Sequence, residues 1–205
     1  MDTQVFSRFF ALLTLAADVL AFGLLALALA SRVSARASDL WEGTRDLLGV
    51  HALSLAWLIA TTATLGSLYY SEVANFVPCK LCWYQRIAMY PLALVLGIAA
   101  LRKDLNVRRY VLPLVGLGAG ISIWHYLLEH FPSLSGSASC DPSAPCTVRW
   151  VWEFDFISIP FMALGGFVAI AALLLSARQP DNTEGGDDEH HIENSARREP
   201  VGASA

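Results

Sequence analysis

The sequence predicts an all-α membrane protein with five transmembrane helices. Of its 205 residues, 55% are hydrophobic and only 16% are charged, and the mean hydropathy is +0.48. This apolar content exceeds that of ordinary soluble domains. Five apolar segments are each long enough to cross about 30 Å of hydrocarbon as a helix. They are residues 9–30, 48–70, 83–101, 110–128 and 157–177.

The first apolar segment, residues 9–30, is interrupted only by Thr14, Asp18 and Gly23. A cleavable secretory signal is the alternative, because Arg8 precedes the segment and Ala-Leu-Ala at 28–30 resembles a cleavage site. The segment is longer than the usual apolar core of a signal, so we interpret it as a transmembrane helix. Asp18 would be a functional candidate in lipid. We interpret it instead as an acid that is protonated or hydrogen-bonded against a neighbouring helix.

The next segments are joined by polar connectors. Residues 31–47 are polar and carry three arginines, and they lead into the second apolar segment. The third segment contains Pro91, which removes a backbone hydrogen bond and is expected to kink the helix. The fourth segment is rich in glycine, a pattern that lets helices approach closely. Its glycines are Gly116, Gly118 and Gly120.

The distribution of positive charges predicts the orientation of the helices. With five spans, the connectors 31–47 and 102–109 and the tail after residue 177 lie on one side and hold ten Lys and Arg residues. The other side holds Arg8, Lys80 and Arg149. Because positive residues mark the cytoplasmic side, we expect the amino terminus outside and the carboxyl terminus in the cytoplasm. Removing the first segment as a signal would place 102–109 outside, so the charges also argue against cleavage.

Two pairs of cysteines lie on the side predicted to be extracytoplasmic. Cys79 and Cys82 directly precede the third apolar segment, and Cys140 and Cys146 lie in the loop before the fifth. A short ring closed by a disulfide is strained and suits opening and closing better than holding a fold. If a helix begins near Cys79, its free N–H groups and its dipole stabilise a thiolate, and Arg86 follows Cys82 on the same helical face. Both effects lower a thiol pKa, so the motif predicts redox exchange.

Other uses of these cysteines fit the residues less well. A zinc ribbon needs a second close pair in a small polar domain, so we assign no metal site. A haem attachment site needs histidine after the second cysteine, where Trp83 stands. The alternatives that stay open are a non-enzymatic membrane scaffold with two structural disulfides and a reductive carrier that feeds electrons outward. No basic stripe indicates a nucleic-acid partner.

Two further features lie near the predicted outer surface. His125 and Glu129 lie four residues apart at the end of the fourth segment. They could hand protons to a bound redox partner or lie in the hydrated headgroup layer, and we favour the headgroup layer. The aromatic stretch 150–156 is interpreted as lying along the membrane surface.

Together these residues resemble a known family. The motif Cys-Lys-Leu-Cys-Trp-Tyr-Gln-Arg at 79–86, a basic inner loop, an outer loop with a second cysteine pair, Trp152 and Ile-Pro at 159–160 resemble the bacterial disulfide-bond-formation protein B (DsbB) family. The resemblance covers about residues 48–177. The short spacing of the loop pair resembles a BdbC-like branch. The order of the pairs differs from that of the vitamin K epoxide reductase relatives, in which the loop pair comes first.

The resemblance implies a membrane thiol-disulfide oxidoreductase. Such an enzyme reoxidises an extracytoplasmic thioredoxin-fold oxidase of the DsbA type and passes the electrons to a membrane quinone, either ubiquinone or menaquinone. It implies that the partner's thiolate attacks Cys140 and that Cys146 passes the electrons to Cys79. It also implies that the thiolate of Cys82 contacts the quinone and that Arg86 holds the quinone and stabilises its developing charge.

The resemblance also divides the chain. Residues 1–47 are an additional N-terminal transmembrane helix with a cytoplasmic connector, 48–177 are a four-helix bundle, and 178–205 are an acidic cytoplasmic tail predicted to be disordered. The implied location is the bacterial cytoplasmic (inner) membrane. The first helix has no counterpart in the family. Gln85, where an acid is common, and the short loop spacing also depart from the best-known members.

Overall fold

The computed structural model describes residues 3–137, 140–141 and 143–178 and contains five long helices. They are α1 (Thr3–Ala30), α2 (Ala35–Leu68), α3 (Lys80–Arg102), α4 (Arg108–His130) and α5 (Ile159–Ser176). Each of the five provides a segment long and apolar enough to cross a membrane, and no strand forms within the described ranges. The predicted fold class, an all-α membrane protein with five spans, is confirmed.

Three short helices complete the described secondary structure. A π-helical turn at Tyr69–Val73 continues α2, and 3₁₀ turns lie at Leu105–Val107 and Pro132–Ser137. Helix α3 continues through Pro91, and the expected kink there stays a prediction. The predicted disorder of the tail falls on residues that, after Arg178, lie outside the described ranges.

The connector after α1 differs from the sequence prediction. Residues 31–47 were expected to be a polar connector, but α2 begins at Ala35, and only His51–Val73 forms the apolar span. The residues after Ala35 include several good helix formers (Arg, Ala, Leu and Glu) and no proline, so the helix can extend beyond the hydrocarbon. Polar composition therefore ends the apolar span without ending the helix.

The core of the bundle lies between α2, α3, α4 and α5. Helix α5 packs against both α2 and α4, while α3 packs against α2 and α4. Fully buried side chains on α3 and α5 fill the centre; they include Leu92, Leu96, Phe167, Ile170 and Leu173. A Cβ atom at Gly118 would collide with the ring of Phe167. The close packing predicted for the glycine-rich fourth helix is thus confirmed at this position.

Helix α1 lies on the outside of this bundle, against α2 and α5. Asp18 packs beside Gly165 of α5, where an added Cβ would lie 2.8 Å from its carboxylate oxygen. Asp18 therefore lies against a neighbouring helix, as expected, and its protonation or hydrogen bonding there stays a prediction.

The aromatic stretch 150–156 forms a turn closed by backbone hydrogen bonds between Glu153 and Ile157. Val151 and Ile157 are buried, whereas Phe154 and Phe156 are exposed. The turn thus anchors its ends in the protein and presents aromatic rings outward. Its position along the membrane surface stays a prediction.

Candidate functional site

The first cysteine pair lies at the amino-terminal end of α3, as the sequence predicts. Cys79 is the N-cap residue, with extended backbone angles, and its sulfur accepts a hydrogen bond from the Cys82 backbone N–H at 3.4 Å. A capping side chain satisfies one of the free N–H groups at the start of a helix and lies at the positive end of its dipole. The local fold therefore favours negative charge on the Cys79 sulfur.

Cys79 and Cys82 are both free thiols, and their sulfurs lie 3.2 Å apart. The hydrogen bond with the Cys82 side chain, and next the hydrogen bond and charge of His125, lower the pKa of Cys79 from 9.0 to about 4, although burial opposes them. Cys79 is therefore a thiolate at neutral pH. The implied contact of a Cys82 thiolate with a quinone stays a prediction, since in this dithiol state the charge lies on Cys79.

His125 of α4 completes the surroundings of Cys79. Its Nε2 atom lies 3.6 Å from the Cys79 sulfur, and its Nδ1 atom lies 3.4 Å from Nε2 of Gln85. The contact with Gln85 thus orients the imidazole ring so that Nε2 faces the sulfur. On the sequence alone, His125 was considered as a proton donor but the headgroup layer was favoured, and Gln85 was given no role in the site. Gln85 is one helical turn after Cys82, which was the only local signal.

The expectation that His125 and Glu129 lie in the hydrated headgroup layer is wrong. Their exposed fractions are only 3% and 4%. The loop before α5 folds back over the end of α4, where Arg149 donates hydrogen bonds to the Glu129 carbonyl and Tyr126 donates one to the Phe156 carbonyl. This cover excludes water from a helix end that the sequence places near the surface.

The second cysteine pair is a disulfide between Cys140 and Cys146, with Cα atoms 6.0 Å apart. Cys146 is 2% exposed and belongs to one buried cluster with Cys79 and Leu128. Cys82 and Cys140 pack at the edge of the same cluster. The structure thus brings together all four cysteines named from the sequence. Beside the disulfide, hydrogen bonds from the Ser143 hydroxyl and backbone N–H hold the pKa of exposed Asp141 below its usual value.

Cys82 also lines a cavity of about 260 Å³. Its walls are mainly apolar side chains of α1, α2, α3 and α5, and Cys82, Gln85 and Arg86 contribute polar groups. Arg86 is held by Ser67 of α2, through a hydrogen bond from Nε to the hydroxyl at 3.0 Å and one from Nη2 to the carbonyl at 3.1 Å. Its guanidinium also lies 5.3 Å from the centre of the Trp83 ring.

This cavity fits a quinone ring by the chemistry of its walls. Small-molecule sites are mostly apolar with a few fixed polar groups, and a flat ring with carbonyl oxygens needs one such donor. Arg86 supplies the donor and Cys82 supplies a sulfur in the same cavity.

Three residues at the first cysteine pair could hold a metal ion. The ligand atoms of Cys79, Cys82 and His125 lie within 4.8 Å of one another, an arrangement that the sequence did not predict.

Comparison with known proteins gives a consistent result. Residues 50–177 match the family model described as disulfide bond formation protein DsbB. Disulfide bond formation protein C of Bacillus subtilis is 51% identical over 118 residues, covering 58% of this chain and 86% of the relative. A probable disulfide formation protein of Deinococcus radiodurans is 47% identical over 136 residues, covering 62% of this chain and 88% of the relative.

No solved structure matches the chain. The family match begins within α2, so α1 lies outside it. Both cysteine pairs, helices α3, α4 and α5 and the apolar part of α2 lie inside the match, and the relatives named above are disulfide formation proteins. The chain therefore belongs to the DsbB family, as a multi-pass membrane oxidoreductase with a role in disulfide bond formation.

Proposed function

We propose that the chain oxidises an extracytoplasmic, DsbA-like dithiol protein of the thioredoxin fold and passes the electrons to a membrane quinone. It would do so in the bacterial cytoplasmic membrane and thereby support disulfide formation in exported proteins. The observation that carries the proposal is the position of the first cysteine pair. Cys79 belongs to the same buried cluster as Cys146 of the loop disulfide, whereas Cys82 and Arg86 line the apolar cavity.

The first part of the reaction is disulfide exchange. A thiolate of the partner attacks Cys140, which is partly exposed, and releases the thiolate of buried Cys146. Cys146 then attacks Cys79 of a Cys79–Cys82 disulfide and releases Cys82. The partner's second thiol resolves the mixed disulfide, and the freed Cys140 thiolate attacks Cys146 and releases Cys79.

These exchanges leave the loop pair oxidised and the Cys79 and Cys82 pair reduced. The described structure has the same distribution, with one disulfide and two free thiols. The partner has lost two electrons and two protons. The electrons now reside on the first pair, of which Cys82 lines the cavity.

The second part of the reaction returns the first pair to its disulfide. The Cys79 thiolate, 3.2 Å from the Cys82 sulfur, forms the sulfur–sulfur bond as two electrons leave through Cys82. A bound quinone would accept those two electrons, together with the proton of the Cys82 thiol and the proton that Cys79 released on ionising. Arg86, fixed by Ser67, places a cation beside the charge that develops in an apolar cavity, where such charge is strongly stabilised.

A turnover measurement tests this proposal. The purified protein is mixed with a reduced thioredoxin-fold oxidase and with ubiquinone or menaquinone analogues, and quinone reduction is followed. We expect catalytic turnover in the wild type and none in Cys82→Ser, because the electrons lose their exit. Cys82→Ser should still form a mixed disulfide with the partner through Cys140, which serves as the folding control.

The other functional classes give different results in the same measurement. A scaffold with two structural disulfides would show no turnover, and Cys82→Ser would reduce only its stability. A reductive carrier would hold its cysteines mostly reduced in cells, which alkylation trapping measures. Either result would contradict the proposed direction of electron flow.

A further inference from the structure

We propose that helix α1, which lies outside the family match, forms one wall of the site that receives the quinone ring. The inference rests on the proposed function and adds to it the part of this chain that shapes the site. Its basis is that α1 contributes side chains to the same cavity as Cys82 and Arg86.

One face of α1 lines this cavity. The four contributing residues recur at the spacing of a single helical face; they are Phe10, Leu13, Thr14 and Ala17. The hydroxyl of Thr14 donates its hydrogen bond to the Phe10 carbonyl at 2.9 Å, so it is already paired within the helix. The wall that α1 presents is therefore apolar, as a ring or the start of an isoprenoid chain requires.

Two glycines of the bundle seat α1 at this place. A Cβ atom at Gly66 of α2 would lie 2.6 Å from the Phe10 ring, and one at Gly165 of α5 would lie 2.8 Å from the Thr14 methyl group. Both glycines lie inside the range that matches the family. Because α1 approaches both α2 and α5 closely at these glycines, its side chains reach the cavity between them.

Contacts near the amino-terminal end of α1 hold it against the same elements. The Tyr70 hydroxyl donates to the Ser7 hydroxyl at 3.3 Å, and the rings of Phe6 and Tyr69 stack with centroids 3.6 Å apart. Tyr70 is itself buried and lines the cavity. The wall is therefore coupled to the bundle by polar and aromatic contacts as well as by helix packing.

Adjacent positions on α1 provide a matched test. Leu13 lines the cavity and is 39% exposed, whereas Leu12 does not line it and is 56% exposed. We expect Leu13→Trp to raise the KM for quinone at least about tenfold by filling the cavity. Leu12→Trp should leave that KM unchanged. Neither variant should alter disulfide exchange between the reduced partner and Cys140 in the absence of quinone.

A photoreactive azidoquinone tests the same inference on the wild-type protein, so that the result does not depend on a variant folding. After illumination and proteolysis, we expect labelled peptides from residues 10–17 as well as from α3. Label on α3 without label on α1, or equal KM values for the two Trp variants, would overturn the inference and leave the proposed function standing. Absence of both labelling and quinone turnover would overturn both.

Discussion

Three residues apart in sequence, Cys79 and Cys82 face different partners. Cys79 is 4% exposed and lies in one buried cluster with Cys146, while Cys82 lines the cavity with Arg86. This difference follows from the cap position of Cys79, which lies just before the first turn of α3, whereas Cys82 lies within that turn. A two-residue spacer therefore suits a pair in which one sulfur receives electrons and the other delivers them.

His125 is expected to control the charge of Cys79. In His125→Ala the sulfur loses a hydrogen bond and a nearby positive charge, so the pKa of Cys79 should rise above its value of about 4. The rise should be partial, because the hydrogen bond with Cys82, which is the larger cause, remains. The wild-type Cys79 should stay ionised as the pH falls from neutral to about 4, and the variant should lose its thiolate at higher pH.

The measurement is thiolate ultraviolet absorbance against pH, with Cys79→Ser as the baseline. His130→Ala is the matched control, since His130 of the same helix packs on Tyr126 and Trp152 instead. Identical titrations for wild type and His125→Ala would contradict the assigned role of His125.

Arg86 is expected to act in quinone reduction but not in disulfide exchange. Arg86→Ala removes the cation and its two hydrogen bonds to Ser67, and the loss of one such group typically slows a reaction by about 10²–10³-fold. Stopped-flow measurement of quinone reduction should show this loss, whereas exchange with Cys140 should proceed at the wild-type rate. Arg86→Lys keeps the positive charge but loses the paired hydrogen bonds of the guanidinium to Ser67, so it should give an intermediate rate. Equal rates for all three proteins would contradict a role for the guanidinium.

At the scale of the helix, the position of a glycine matters more for close packing than the number of glycines. Helix α4 carries three glycines spaced by two residues, and only Gly118 faces a neighbouring ring, that of Phe167. Gly116 and Gly120 have no atom within 4 Å of an added Cβ. One glycine is therefore required for the packing of α4 against α5, and the other two are open to alanine.

Gly118→Ala should destabilise the bundle. Overpacking a close helix contact costs about 1–3 kcal/mol, which outweighs the gain of up to about 1 kcal/mol from replacing glycine by alanine in a helix. The matched control Gly116→Ala retains only the gain and should be neutral or slightly stabilising. Thermal unfolding in detergent measures both, and a Tm for Gly118→Ala at or above that of the control would contradict the packing argument.

At the scale of the whole molecule, the two ends of the bundle differ in chemistry. One end holds the four cysteines, and there Arg8 of α1 forms an ion pair with Glu153 at 3.5 Å. At the other end Arg45 donates a hydrogen bond to the Ser176 carbonyl, and an added Cβ at Gly49 would lie 2.8 Å from the Arg178 carbonyl oxygen. The connectors rich in Lys and Arg belong to this second end, which the positive-inside rule assigns to the cytoplasm.

Labelling of intact cells tests that orientation. In a background with the native cysteines replaced by serine, we expect Val148→Cys to react with a membrane-impermeant maleimide in intact cells. Asn106→Cys, at the opposite end, should react only after permeabilisation. Both positions are exposed, so accessibility within the protein does not separate them. Labelling of Asn106→Cys alone in intact cells would reverse the predicted topology.

Local composition was enough to predict much of the architecture of this protein. The lengths of the apolar segments predicted all five spans, and the two-cysteine motif lies directly before the third segment, where a helix start near Cys79 was considered. The charges of the connectors predicted an orientation that still awaits measurement. These properties depend on residues close together in the chain. Their physical causes, which are hydrocarbon thickness, helix termini and membrane electrostatics, act on each segment separately.

Tertiary structure alone decided what surrounds the cysteines. His125 reaches Cys79 across 46 positions of sequence, and the loop that folds over α4 buries Glu129, which the sequence placed at a hydrated surface. The position of α1 against the cavity depends on Gly66 and Gly165, each on another helix. Such contacts are set by how helices pack and cross. The composition of a segment predicts whether it spans the membrane, but it does not predict which neighbouring helix each of its faces contacts.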